Sequence, residues 1–124
     1  MIDRLSIQVA DTAAATAFYD AVLAPLNGRR VMDFGEDAVA YGVGESPVFR
    51  VGPTASSAPP REVHPAFAAG DRAAVEGFHA AAVAAGAEVL HAPRVWPEYH
   101  PHYCGAFVRD PDGNNVEAVC HAPD

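Results

Sequence analysis

The sequence predicts an α+β fold built from two copies of one strand-helix-strand-strand-strand module. Three observations carry that reading: a self-similarity at an offset of 60 residues, a strand-like alternation ahead of an aspartate in each copy, and an alanine-rich helical stripe after it. Asp11 precedes Phe18 by seven positions, and Asp71 precedes Phe78 by seven. The same offset sets Ala14 on Ala74, Ala21 on Ala81, and the apolar Ile7, Val9 and Leu23 on Phe67, Ala69 and Val83.

The elements follow in order. Leu5, Ile7 and Val9 alternate with Arg4, Ser6 and Gln8, the period of a strand with one apolar and one polar face. Asp11 and Asp71 are good helix N-caps, and helical spacing follows each. Val75, Phe78, Ala82 and Ala85 make one stripe, matched less regularly by Ala14, Phe18, Ala21 and Val22, so both helices should lay an apolar face on a sheet. Gly86 stands where a left-handed C-terminal cap belongs, while Pro25 with Asn27-Gly28 closes the first helix. Three short strands then follow each helix, at about 29–34, 38–43 and 47–51 in the first copy and 88–94, 103–109 and 115–120 in the second. Asp110-Pro111-Asp112-Gly113-Asn114 is a strong turn signal. One domain over 1–124 is expected, with module one at about 1–51, a Pro/Ser/Gly/Ala linker at 52–61 and module two at 62–121.

With 124 residues, half of them hydrophobic, the chain can bury a core without staples. Its formal net charge of -8, with no basic cluster, argues against nucleic acid as a partner. No basic leader with an apolar core opens the sequence, and no apolar run reaches membrane-spanning length, so a soluble, cytoplasmic protein with no membrane partner is expected. Cys104 and Cys120 lack the spacing of a zinc knuckle or redox motif and read as small buried hydrophobes.

Arg4-Leu5-Ser6-Ile7-Gln8-Val9 followed by Phe18-Tyr19, His64-Pro65-Ala66-Phe67, and above all Asp110-Pro111-Asp112-Gly113-Asn114-Asn115-Val116-Glu117 give the chain its resemblance to the vicinal oxygen chelate superfamily. That superfamily includes glyoxalase I, bleomycin-resistance proteins, fosfomycin-resistance enzymes and extradiol dioxygenases, and the resemblance covers essentially the whole chain. It implies an eight-stranded, cup-shaped mixed sheet with helices on the outer face, a small-molecule ligand in the cup, and a homodimer. It also implies metal ligands on the first and fourth strands of each module. Module two offers His64 and Glu117, both suited to a divalent cation. Module one offers Arg4, which cannot ligate, and Phe49, when Pro47-Val48-Phe49-Arg50-Val51 is aligned with Asn115-Val116-Glu117-Ala118-Val119. Any divalent metal is therefore expected to bind weakly.

The segment Trp96 to Tyr103 gathers the single Trp, two of four Tyr and two of six His, which suits contact with a small organic ligand. Trp96, Tyr99, His100, His102 and Tyr103 join Arg4 and Phe49 as candidate ligand-binding residues. Three functions stay open. The first is a lyase- or dioxygenase-like enzyme using a degenerate metal site of His64, Glu117 and a loop histidine. The second is a metal-free protein that sequesters its ligand. The third is metal-free acid-base catalysis with His64 or Glu117 as base.

Overall fold

The structure is a computed structural model that describes residues 1–56 and 58–123. Its elements are β1 (Leu5–Val9), α1 (Thr12–Leu23), a 3-10 turn (Ala24–Leu26), β2 (Arg29–Asp33), β3 (Val39–Gly42), β4 (Phe49–Pro53), β5 (Ala66–Ala68), α2 (Arg72–Ala84), β6 (Val89–Val95), β7 (Cys104–Arg109) and β8 (Asn115–Cys120). The expected β-α-β-β-β order therefore occurs twice. The strands form two four-stranded mixed sheets, ordered β1-β4-β3-β2 and β5-β8-β7-β6. In each, the first strand runs parallel to the fourth and the other pairs are antiparallel. Among the described residues, no helix is long and apolar enough to cross a membrane.

Local chemistry accounts for the helix ends. The Asp11 carboxylate accepts from the Ala14 N–H at 3.1 Å, and Asp71 accepts from Ala74 at 2.8 Å, each satisfying an orphan donor of the first turn. Gly86 takes a left-handed φ of 79°, which lets the Ala87 N–H return to the Ala82 carbonyl. Pro25 tightens the end of α1 into the 3-10 turn, and Asn27 then reverses the chain at φ 63°.

Helix α2 buries Val75, Phe78 and Ala82, whereas Ala85 is exposed. Helix α1 buries a wider stripe than the sequence pattern indicates, with Ala15, Phe18, Tyr19, Val22 and Leu23 inside and Ala14 outside. Tyr19 is the pivot. Its ring centroid lies 4.9 Å from Phe49 on β4, 6.3 Å from Tyr41 on β3 and 6.4 Å from Phe67 on β5, so one aromatic group joins the two modules. Each such contact adds about 0.5–1.5 kcal/mol beyond area burial. The Tyr19 hydroxyl donates to Asp110 at 2.6 Å, and the Ala10 N–H donates to Asp112 at 2.8 Å, tying α1 and the end of β1 to the β7–β8 turn.

Some expectations need correction. Ile7 is buried as expected, but Leu5 is 39% exposed and looks into a groove between the modules. Phe67 is half-buried against the core. Strand β4 continues through Gly52 and Pro53, residues expected to begin the linker, because they pair with Gln8 and Val9 of β1. Strand β5 begins at Ala66, so His64 precedes it. Cys104 and Cys120 are buried free thiols.

Candidate functional site on the open face of module two

Glu117 sits in the middle of β8 between Val116 and Ala118, which are both in the core, and strand alternation turns its carboxylate to the opposite, open face. It is nonetheless only 3% exposed. A buried carboxylate needs partners, and both oxygens have one. Oε1 lies 2.8 Å from His64 Nε2, while Oε2 accepts from the Tyr103 hydroxyl. An ionised carboxylate only accepts, so His64 carries its proton on Nε2 and, when neutral, leaves Nδ1 as an acceptor. Burial, then the hydrogen bond to Glu117 and its charge, push the Tyr103 phenol above its usual range and keep it a donor. Gly105 makes the approach possible: a Cβ there would lie 3.3 Å from both Glu117 Oε2 and the Tyr103 ring.

An aromatic array surrounds the carboxylate. Phe107 pairs with Glu117 across the β7–β8 ladder, and its ring is 5.8 Å from His64, 5.6 Å from His91 and 5.2 Å from Trp96. Trp96 is fixed by its indole N–H, which donates to the Gly105 carbonyl at 3.1 Å, and by the Arg94 guanidinium 3.4 Å from its ring centroid. Tyr99 stacks on Trp96 and lies 4.8 Å from Tyr103. His100 and His121 are bonded at 2.8 Å, beside the Tyr103 ring. The His102 N–H donates to His100 Nδ1, so the His100 proton is on Nε2 and is given to His121 Nδ1.

Of the candidate residues, His64, Glu117 and Tyr103 converge directly, with Trp96 and Tyr99 next to them. His100 pairs with His121 rather than with Glu117, and the His102 side chain is exposed, so neither loop histidine joins His64 and Glu117. Arg4 contacts Asp3 at 3.4 Å and not Glu117. Phe49 belongs to the core, 5.0 Å from Phe67, and the register corrects the alignment that set it against Glu117. One cross-strand row in module one is Ser6, Arg50, Ala40 and Met32; the corresponding row in module two is Ala66, Glu117, Phe107 and His91. Arg50, not Phe49, occupies the Glu117 position. Phe49 corresponds to Val116, one residue away and therefore on the other face. His91, Phe107, His121 and Arg50 were not singled out from sequence. The signal for Arg50 was its place between the apolar Phe49 and Val51, which mirrors Glu117 between Val116 and Ala118.

The residues do not fit the four-ligand metal centre that the resemblance implies. The module-one positions hold Arg4 and Arg50, whose guanidinium groups do not ligate, and both oxygens of Glu117 already accept from protein donors. Among the described residues, no group of three or more His, Cys, Asp or Glu could hold a metal ion.

Two cavities flank the core. A cleft of about 660 Å³ lies between α1, the end of α2 and the β7–β8 turn, where Phe18, Glu88 and Arg109 meet. A groove of about 490 Å³ runs between the modules past Leu5, Phe49, Phe67 and His64. The Glu117 cluster belongs to neither and stands on the open sheet face, touching the groove only through His64.

The sequence matches the model of the glyoxalase-like domain over residues 4–119. No curated protein matches it significantly. Among solved structures, a glyoxalase/bleomycin resistance protein from Albidiferax ferrireducens T118 is similar with a TM-score of 0.81 and 24% identity, covering 97% of this chain and 98% of that one. A lactoylglutathione lyase from Agrobacterium tumefaciens has a TM-score of 0.70 and 23% identity over 97% and 92% of the two chains. A fosfomycin resistance protein from Mesorhizobium loti has a TM-score of 0.68 and 15% identity over 98% and 92%. At these identities the structures speak for the fold, and the matched domain for the lineage. The chain belongs to the glyoxalase-like domain family, and its fold is that of solved glyoxalase, bleomycin-resistance and fosfomycin-resistance proteins.

Proposed function

We propose that the protein binds a small organic molecule on the open face of the β5-β8-β7-β6 sheet without using a metal. The observation that carries this reading is the Glu117 carboxylate, 3% exposed in the middle of a strand yet turned away from the core and held by Tyr103 and His64. Holding an ionised group there costs desolvation energy that a purely structural residue would avoid. Two of its roughly four lone-pair positions are taken, so the carboxylate keeps acceptor capacity for a donor on the ligand. With Phe107, Trp96 and Tyr99 alongside, the ligand is a flat molecule bearing an N–H, O–H or cationic group.

The single Trp provides the test. Trp96 fluorescence should respond saturably to such a ligand, and Phe107→Ala should abolish the response; a ligand that binds with no change in Trp96 emission counts against this face. Turnover is the second reading, favoured by the half-exposed His64 imidazole, whose orientation by Glu117 suits a general base. Ligand recovered chemically unchanged after prolonged incubation rejects turnover; conversion that is lost in His64→Ala would establish it.

We also propose a homodimer. β1 and β5 are terminal strands of their sheets, and apolar Ile2, Leu5 and Val48 are exposed around the β1 edge. Light scattering at micromolar concentration should give twice the chain mass, and a monomer would remove the claim.

A further inference from the structure

The two cysteines are sixteen residues apart in the sequence, yet the fold sets them directly opposite one another, Cys104 as the first residue of β7 and Cys120 as the last of β8. The type of rung follows from the backbone. On β8, the Asn115 and Glu117 N–H groups donate to the Val63 and Pro65 carbonyls, and the Val119 carbonyl accepts from Ala69. Val116, Ala118 and Cys120 therefore turn their backbone groups the other way, toward β7. On β7, the Tyr103 carbonyl accepts from the Trp96 N–H on the β6 side, so Cys104 turns its own groups toward β8. Cys104 and Cys120 thus form a hydrogen-bonded antiparallel pair, whose Cα atoms stand about 5.5 Å apart. Disulfides are commonest near that separation, within a usual span of about 4.4–6.8 Å. Residues directly opposite project from the same face of a sheet, and both of these side chains lie in the core.

Both groups are thiols, 5% and 1% exposed. Two features bring them within reach of a small reagent. They occupy the last rung of the β7–β8 ladder, where a strand end opens at lower cost than its middle. The Cys120 sulfur is also covered by the chain end: the Ala122 N–H donates to Sγ at 3.4 Å, and Ala122, beyond β8, is exposed. The open face lies one residue away. Tyr103 precedes Cys104 and gives its hydroxyl proton to Glu117, while His121 follows Cys120 and accepts from His100. A bond drawn across this rung on the core side acts on the backbone that holds both open-face contacts.

We infer that Cys104 and Cys120 form a reversible redox site, closed by a low-molecular-weight disulfide and reopened by a thiol. One cysteine, as thiolate, attacks the S–S bond of the reagent, forming a mixed disulfide and releasing one reagent thiolate. The second cysteine attacks the protein sulfur of that mixed disulfide, forming the Cys104–Cys120 bond and releasing the other reagent thiolate. The two protons given up by the cysteines go to the two reagent thiolates, so the protein is oxidised and the reagent reduced by two electrons. This site depends on the β7–β8 rung alone and stands whether or not a ligand binds beside Glu117.

The test is incubation of the full-length protein with cystamine under native conditions, followed by blocking of remaining thiols with iodoacetamide. Intact mass and tryptic peptides are then read without reduction. With arginine at 94 and 109 and no lysine in the sequence, trypsin places the two cysteines in separate peptides, 95–109 and 110–124. The expected product is a single chain that has lost two hydrogens and takes up no iodoacetamide, with those two peptides joined. Trp96 emission should shift on oxidation and return when a thiol reductant is added. Chains linked to each other, a mixed disulfide that persists, or thiols that react only in denaturant would overturn the inference. A closed disulfide with unchanged Trp96 emission would overturn its effect on the open face.

Discussion

Replacing Tyr103 by Phe removes one oxygen and nothing else, and the consequences follow from its place beside Glu117. The hydroxyl is one of two protein donors to a carboxylate that is 3% exposed, so the substitution leaves Oε2 without a protein partner. A hydrogen bond to a charged group contributes about 1.5–3 kcal/mol. Tyr103 itself is half-buried, so water can replace part of the contact, and the lower end, about 1.5 kcal/mol, is expected. For a chain of this size that lowers Tm by roughly 5 °C. The pH dependence has a definite sign. The folded protein holds the Tyr103 phenol protonated beyond its usual range, whereas the unfolded chain ionises it near pH about 10. The stability tied to this group is fully present below that pH and is lost as pH rises above it. Thermal unfolding followed by circular dichroism should therefore give wild-type and variant curves that are separated at pH 7 and converge above pH about 10. Parallel curves, or a separation below about 1 °C at neutral pH, would refute the role assigned to this contact.

Three further outcomes are expected. Tyr19→Phe removes the buried 2.6 Å bond to Asp110 between the modules, and should cost about 2 kcal/mol by denaturant unfolding. Phe49→Glu puts a carboxylate among Tyr19, Tyr41 and Phe67 and should abolish folding, whereas Arg50→Glu, on the open face, should leave a folded protein; circular dichroism of the two variants tests the register directly. The double substitution Arg4→His with Arg50→Glu recreates in module one the residue types of His64 and Glu117. It should raise divalent-metal affinity measured by calorimetry, while Arg4→His with Phe49→Glu should give no folded protein.

The repeat was legible because its markers are local. Asp11 and Asp71 announce their helices by a chemistry that needs no tertiary context, and Gly86 and the turn around Gly113 do the same for chain reversals. His64, Glu117 and Tyr103 were also accessible, since two lie on the repeat and the third closes a loop dense in aromatics. Phe49 was misplaced for a physical reason. The offset of 60 that holds at β1 has grown to 67 by β4 and β8 through unequal loops, so no fixed spacing guides the alignment there, and setting Pro47–Val51 on Asn115–Val119 overshoots by one. A slip of one residue in a strand exchanges the two faces completely. The flanking residues held the better signal, since a charged residue between two core apolar ones must point outward. His91 and His121 were out of reach for another reason: only the β6–β7 pairing and the bond to His100 bring them to the array, and neither contact has a local signature.

The central claim is that the Glu117 carboxylate holds a small ligand directly, with no metal between them. A Trp96 fluorescence titration of chelator-dialysed protein, run side by side on wild type and Glu117→Gln with a ligand drawn from a screen of flat amines and amides, tests it most directly. The account predicts a Kd for the wild type that is unchanged when divalent cations are restored. It also predicts a Kd at least about tenfold weaker in the variant, the loss of one charge-assisted contact. Binding that requires the cation, or that is equally strong in Glu117→Gln, would contradict it.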